Sequence, residues 1–129
     1  MRYLGIDYGT KKIGIALSDD EGNIAFAKSV FTNTGEHEVV QTLRTLIQKE
    51  KVEKIIIGMP VWPGTESGEV VTKIRELSAQ LVEKCALPVE FENELLTTKI
   101  AESLTHKNAD AVAAALILQS YLDKKVGSE

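Results

Sequence analysis

Residues 4–19 read LGIDYGTKKIGIALSD and contain the start of a predicted β-sheet. The first apolar run ends at Asp7, and a glycine and a threonine follow shortly after it. Over 12–18, isoleucine and leucine alternate with small residues, which is the period of a strand with two different faces. We therefore expect strands over 2–7 and 12–18, joined by a tight turn that begins beside a carboxylate.

Three further strands are expected along the chain. The turn cluster DDEGN at 19–23 precedes a third strand over 24–31, so that the first three strands form an antiparallel meander. The continuous apolar run at 55–57 is typical of a strand that is buried on both faces. A fifth strand is expected over 88–91, after a helical segment.

Helices are predicted between and after these later strands. Apolar residues recur at three- and four-residue spacing over 39–47 and again over 71–81. Asn33 and Glu36 have the spacing of a capping box at the start of the first helix. The last helix is expected from about 108 to 122, and a short helix before it.

This order of elements predicts the fold class. Three hairpin-linked strands followed by α/β units give an α/β protein with a mixed five-stranded sheet and helices on both faces. That pattern is typical of the ribonuclease H-like fold. We expect one such domain over residues 1–129, with the first and fourth strands as neighbours in the sheet.

Composition and charge exclude some classes of protein. The net charge of −4 argues against a strongly basic, non-specific nucleic-acid coat, although a local basic patch is compatible with it. No apolar run approaches the roughly 18 residues that span a membrane. Cys85 has no partner for an internal disulfide, and no targeting signal is seen, so we expect a cytoplasmic protein with no membrane attachment.

Three acidic residues stand at the ends of predicted elements. Asp7 ends the first strand, Glu94 follows the fifth, and Asp110 opens the last helix. Ligands of open α/β sheets bind at the carboxyl ends of strands, near the point where strand order reverses. Carboxylates that converge there would suit Mg²⁺, because this ion prefers hard oxygen ligands and phosphate.

Each of these acids also has a purely structural interpretation. Asp7 could form an Asx-turn with the amide of Gly9 or Thr10. Asp110 could be an ordinary first-turn acid that the helix dipole favours, and Glu94 could be a solvated loop residue. Most other acids fall on predicted solvent faces, where solvation explains them.

Four stretches of this chain match a known family. Residues 4–19 and DAVAAALILQSYLD at 110–123 closely resemble the first strands and the C-terminal helix of the YqgF/RuvX family. IIIGMPVWPGTESG at 55–68 and LLTTKIAES at 95–103 are similar to two of its shorter segments. Members of this family are described as pre-16S rRNA nucleases and as Holliday junction resolvases, and the similarity spans nearly the whole chain.

The resemblance implies metal-dependent hydrolysis of phosphodiester bonds. Asp7, Glu94 and Asp110 match the family's acidic positions, so it implies that they bind Mg²⁺ or Mn²⁺ and form the catalytic site. The expected substrate is nucleic acid, either structured RNA such as the ends of pre-16S rRNA or branched DNA. A monomer or a weak homodimer is expected.

The chain departs from the family pattern in two places. The family usually has Asp-Glu-Arg where this chain has Asn93-Glu94-Leu95, and an aliphatic side chain lacks the bidentate phosphate grip of a guanidinium. The segment at 99–109 is also shorter and less basic than is general in the family. These changes favour an alternative, in which the chain is a catalytically weak or inactive nucleic-acid-binding module.

Residues near the first turn and before the last helix are candidates for substrate binding. Lys11 and Lys12 could contact phosphate as point charges beside Gly9 and Thr10, or they could be solvated lysines at a strand start. Lys107 could remain from the family's basic segment, or it could lie in an ordinary helix C-terminal turn.

A third hypothesis is an ATP-binding module. The DYGT segment also resembles the first phosphate loop of actin-like ATPases and sugar kinases, which share this sheet topology. Those proteins close a second domain and a second phosphate loop over the nucleotide. The chain contains no second Asp-x-Gly segment, which weakens this hypothesis.

Overall fold

The computed structural model describes residues 1–60, 68–93 and 109–127. These residues form one sheet of five strands in the order β3-β2-β1-β4-β5. The strands are β1 (Tyr3–Tyr8), β2 (Lys12–Ser18), β3 (Ala25–Thr32), β4 (Lys54–Met59) and β5 (Val89–Asn93). The described helices are α1 (Glu36–Glu50), α2 (Glu69–Cys85) and α3 (Ala109–Gly127).

The pairing of the strands confirms the predicted mixed sheet. β1 and β2 pair antiparallel, as do β2 and β3, because short turns join them. β1 pairs parallel with β4, and β4 with β5. The first and fourth strands are therefore neighbours, as the sequence predicts, and their carboxyl ends lie at the same edge.

One face of the sheet packs against α1 and α2 through large aliphatic side chains. Every second residue of β1, β2 and β4 points to this α1/α2 face, as the period of a strand requires. The helices contribute the apolar residues whose spacing predicted them. The strand residues of this core are Leu4, Ile6, Ile13, Ile15, Leu17, Ile55 and Ile57, and the helix residues are Val39, Val40, Leu43, Ile47, Ile74, Leu77 and Leu81.

The other face packs against α3, and the strands carry small residues where the helix comes closest to them. A Cβ at Gly5 would lie only 2.8 Å from the Cβ of Leu118 and 3.0 Å from the carbonyl oxygen of Ala114. Ala16 of β2 is fully buried in the same cluster. Because these positions lack bulk, the helix backbone approaches the strands closely on this α3 face.

The structure corrects the predicted start of α1. Gly35 is the N-cap, with φ of 125°, and no side chain caps the helix. Asn33 instead accepts a hydrogen bond from the backbone N–H of Gly35 at 3.2 Å and donates one to the carbonyl oxygen of Gly9 at 2.9 Å. The capping-box prediction is therefore wrong, because Asn33 connects the start of α1 to the turn after β1.

Several predicted boundaries also move. β5 runs two residues further than predicted, to Asn93, and α3 continues to Gly127. β1 ends at Tyr8, one residue beyond Asp7. None of the described helices is both long enough and apolar enough to cross a membrane.

Candidate metal centre and nucleic-acid site

Asp7 lies near the carboxyl end of β1, on the α3 face of the sheet. Leu4 and Ile6 of the same strand point into the α1/α2 core. Asp7 points to the opposite face, together with Tyr3 and Gly5. Only 8% of the residue is exposed. A carboxylate this well buried at a strand end needs polar or cationic surroundings, which a solvated surface acid does not.

Gly14 of β2 is the cross-strand partner of Asp7. Because Gly14 has no side chain, the start of α3 can lie directly against β2 beside Asp7. A Cβ at Gly14 would overlap the backbone carbonyl oxygen of Asp110, in the first turn of α3. Cross-strand partners have Cα atoms about 4.5–5.5 Å apart. The backbone of Asp110 therefore abuts the neighbouring strand directly beside Asp7, on the same face.

The position of α3 adds an electrostatic contribution to this site. The N-terminus of a helix carries roughly half a positive charge and free backbone N–H groups. Here that end lies against Gly14, next to the Asp7 carboxylate. Such an arrangement favours anionic groups, both carboxylates and the phosphate of a substrate.

A second buried carboxylate lies in the same row of the sheet, on β5. The last paired residues of β1 and β4 are Ile6 and Ile57, so the next residues, Asp7 and Gly58, lie beside each other. Gly58 in turn pairs with Glu92 of β5. Two strand spacings separate Asp7 from Glu92, which is about 10 Å. The residue between them on the α3 face is Gly58, which has no side chain of its own.

Sequence reasoning missed the burial of Glu92. The sequence analysis did not single out Glu92, and it assigned most of the remaining acids to solvent-exposed faces. Glu92 is in fact only 6% exposed, and both of its described contacts come from α3. No local signal could have revealed this, because Ser120 and Lys124 lie about 30 residues away in sequence.

Two predicted site residues lie outside the described residues. Glu94 directly follows the last residue of β5 in the chain, and Lys107 precedes α3 by two positions. Within residues 1–60, 68–93 and 109–127, no three His, Cys, Asp or Glu side chains come together as a metal site. Of the three predicted acids, Asp7 and Asp110 lie in the described part of the chain, where the backbone of Asp110 abuts the strand beside Asp7.

This pair of carboxylates fits a hard divalent cation. Mg²⁺ is usually bound by one or two protein carboxylates, with water and substrate phosphate as its remaining ligands. Asp7 and Asp110 supply only oxygen, and no histidine or cysteine accompanies them among the described residues. Their donor chemistry therefore suits Mg²⁺ or Mn²⁺ better than Zn²⁺.

The turn after β1 presents the residues predicted to bind substrate. Thr10, Lys11 and Lys12 are exposed, and neither lysine forms an ion pair with another described residue. Gly9 is required for close packing, because a Cβ there would overlap the carbonyl oxygen of Lys12. The φ angle of Gly9 is not positive, so a left-handed backbone conformation is not the reason for a glycine here. The glycine is needed because the backbone at Lys12 lies so close to it.

A cavity of about 430 Å³ lies at the same sheet edge but against α1 and α2. Its walls include Tyr8, Thr10 and Asn33, together with Lys73 and Glu76 of α2. Neither Asp7 nor Asp110 lines it, because their side of the sheet faces α3. Cavity volume does not locate a metal centre, since an ion and its waters need only a small opening to solvent.

Comparison with known proteins gives a family match over almost the whole chain. Residues 1–124 match the family model described as "RuvX: Holliday junction resolvase". A curated relative from Rickettsia peacockii (strain Rustic), described as "Putative pre-16S rRNA nuclease", is 35% identical over 130 residues. That similarity covers 93% of this chain and 84% of the relative.

Solved structures give the same fold class. Thermus thermophilus RuvC, in complex with a Holliday junction substrate, has a TM-score of 0.68 at 13% identity, covering 99% of this chain and 97% of that one. A ROK hexokinase from Thermus thermophilus has a TM-score of 0.51 at 24% identity and covers 86% of this chain but only 39% of its own. The fold is ribonuclease H-like, and the hexokinase shares only this unit of a larger protein.

Proposed function

Since this chain belongs to the RuvX family, we propose that it is a metal-dependent nuclease that hydrolyses phosphodiester bonds in structured RNA or branched DNA. The ends of pre-16S rRNA are one such RNA, and the proposed place of action is the cytoplasm. The observation that carries the proposal is the burial of Asp7 at the carboxyl end of β1, directly beside the first turn of α3. That turn contains Asp110, one of the acids to which the sequence resemblance assigns a metal-binding role.

The residues of this chain have separate roles in the proposed reaction. Asp7 and Asp110 would hold Mg²⁺ or Mn²⁺, and Glu94 would complete the site. Such ions position the attacking water and stabilise the leaving oxygen of a phosphodiester. Lys11 and Lys12 are exposed in the turn after β1, where they would contact the substrate backbone as point charges.

Binding of the substrate strand would also use backbone groups. Gly9 and the exposed Thr10 form the turn after β1, whose backbone would contact a phosphate. The first N–H groups of α3 point out of the helix end and would contact a phosphate oxygen. Lys107, just before α3 in sequence, would add charge to the same side.

Substitution of Asp7 by Asn tests this proposal most simply. The change keeps the shape of the side chain and removes the charge that holds the cation. We expect the cleavage rate in Mg²⁺ or Mn²⁺ to fall by at least about 100-fold. Loss of a residue that only supports a metal ligand already costs up to about 100-fold, and loss of a ligand should cost at least as much. The assay compares an RNA duplex with unpaired extensions and a four-way DNA junction.

Asp20→Asn is the matched control for this experiment. Asp20 is an exposed acid in the β2–β3 turn, at the opposite end of the sheet, where it pairs with Arg2. Its substitution should leave cleavage within twofold of wild type. Unchanged metal-dependent cleavage by Asp7→Asn would contradict the proposed function.

A binding module without chemistry is the second candidate, favoured by Leu95 in place of the family's arginine. In that case the wild-type protein would bind structured RNA or branched DNA but cleave neither, with either metal. Gel-shift and cleavage assays on the same substrates separate the two candidates. Binding without cleavage supports the module, and metal-dependent cleavage excludes it.

A further inference from the structure

Glu92 is the only buried side chain of β5. The other four residues of the strand are exposed or partly exposed, and no further strand pairs with β5 in the described sheet. A buried carboxylate on an edge strand is costly unless it is paired and hydrogen-bonded. The contacts of Glu92 therefore decide how this strand sits against α3.

Both described partners of Glu92 come from one side of α3. The hydroxyl of Ser120 donates a hydrogen bond to Oε2 at 2.7 Å. The ammonium of Lys124 lies 2.8 Å from the same oxygen. Residues four apart on a helix share a face, so Ser120 and Lys124 form one attachment point.

This attachment connects two elements of the proposed metal site. α3 begins with the turn that contains Asp110 and, about three helical turns later, contacts β5 through Ser120 and Lys124. β5 leads directly into Glu94, which is two residues beyond Glu92. The ion pair thus connects the helix of one predicted metal ligand to the strand that precedes another.

We propose that Glu92 is a positioning residue, whose contacts with Ser120 and Lys124 fix the carboxyl end of β5 on α3. The end of β5 sets the point from which the chain continues to Glu94. This proposal rests on the proposed function, because positioning has meaning only if Glu94 binds the catalytic cation. The carboxylate of Glu92 is itself engaged by Ser120 and Lys124, so its proposed role is to position the strand end.

The test uses the apparent Kd for Mn²⁺, measured by electron paramagnetic resonance, together with kcat and KM for cleavage. Glu92→Gln keeps the size of the side chain and removes the charge that pairs with Lys124. We expect Mn²⁺ affinity and kcat to fall about 10-fold, the scale of losing a group that orients a metal ligand. KM for nucleic acid should change less than twofold, because the buried Glu92 carboxylate is already paired within the protein.

Substitutions of Lys124 test the same contact from the helix side, at a side chain that is 64% exposed. Lys124→Met removes the charge and should weaken Mn²⁺ binding as Glu92→Gln does. Lys124→Arg restores a cation and should return the affinity to within about threefold of wild type. A pair of variants at an exposed site keeps the test valid even if Glu92→Gln folds poorly.

Glu90→Gln is the matched control on the same strand. Glu90 lies on the same face, two residues earlier, and its ion pair with Lys54 is 3.0 Å long. The variant should lose a little stability and bind Mn²⁺ as the wild type does.

The outcomes separate the two proposals. If wild type binds Mn²⁺ and Glu92→Gln and Lys124→Met bind it equally well, with only the melting temperature lowered, Glu92 is merely structural and the inference is wrong. If wild type neither binds Mn²⁺ nor cleaves nucleic acid, the proposed function fails and the positioning role fails with it.

Discussion

The two faces of the sheet differ in the size of the side chains that the strands direct to them. The α1/α2 face is filled by isoleucine and leucine from β1, β2 and β4. On the α3 face the strands contribute glycine and alanine at the positions closest to the helix. Large side chains supply hydrophobic burial, whereas small ones let a helix backbone touch the strands. The first face therefore holds the fold together, and the second brings Asp110 beside Asp7.

Neighbouring residues of β2 allow each face to be changed separately. Ile15 is fully buried in the α1/α2 core, and Gly14 contacts the first turn of α3. They are consecutive in sequence and point in opposite directions. Substitutions at these two positions therefore test whether stability and site geometry lie on different faces.

The largest loss of stability is expected from Ile15→Ala. Removing a buried isoleucine to the β-carbon typically costs about 2–5 kcal/mol of the free energy of unfolding. Denaturant titration measures this loss. At a temperature where the variant stays folded, its cleavage rate should lie within about threefold of wild type, and a specific loss of activity would contradict the separation of the faces.

Gly14→Ala should have a smaller effect on stability and a larger one on activity. The added methyl group overlaps the carbonyl oxygen of Asp110, so the start of α3 must move away from β2. Overpacking of this kind costs about 1–3 kcal/mol. A displacement of about 1 Å at a catalytic group can reduce the rate by about 100-fold. Cleavage assays and denaturant titration of the same samples measure both.

Ile15→Val is the stability-matched control for Gly14→Ala. It removes one methyl group from the opposite face, at a cost of about 0.5–1.5 kcal/mol. Its activity should remain close to wild type. If both variants lose activity in proportion to stability, the close contact at Gly14 has no special role in the site.

The smallest expected effect concerns the polar contacts at the rim of the α3 face. The Lys54 ammonium donates a hydrogen bond to Glu90 and thereby holds the pKa of that carboxyl below its usual value of 4.5. The side chain is half exposed, so the pair contributes less than about 1 kcal/mol. Glu90→Gln should therefore destabilise the protein only slightly at neutral pH.

The pH dependence of this effect has a definite sign. A carboxyl whose pKa is lowered by folding stabilises the protein above its unfolded pKa, and that contribution is lost as the pH falls through the folded value. The difference in unfolding free energy between wild type and Glu90→Gln, measured by denaturant titration, should thus be full at pH 6–7 and shrink as the pH falls below the usual carboxyl value of 4.5. A difference that does not shrink on acidification would contradict the ionic origin.

The fold was largely predictable because its signals are local and strong. The alternation over 12–18 predicted β2 with the correct bounds, and the apolar run at 55–57 predicted a central strand. Helix starts were less predictable, since Gly35 begins α1 while Asn33 binds a carbonyl from another part of the chain. Hydrogen bonds between distant residues decide such details, and a sequence pattern does not contain them.

The construction of the candidate site was not predictable from the sequence, whereas its acidic residues remain predictions. Asp7 and Asp110 were expected from element ends and from family resemblance. The role of Gly14 was not, because a glycine in an alternating strand gives no indication of which backbone atom will contact it. Glu92 was missed for a related reason, since only the folded chain brings Lys124 to it.

A crystal structure with Mn²⁺, located by its anomalous scattering, tests the central claim most directly. We expect an ion bound by carboxylate oxygens of both Asp7 and Asp110, at metal–oxygen distances of about 2.0–2.3 Å. Ions that bind elsewhere, or Asp7 and Asp110 carboxylates more than about 10 Å apart in the metal-bound protein, would contradict a shared metal centre, because paired catalytic ions lie only about 4 Å apart.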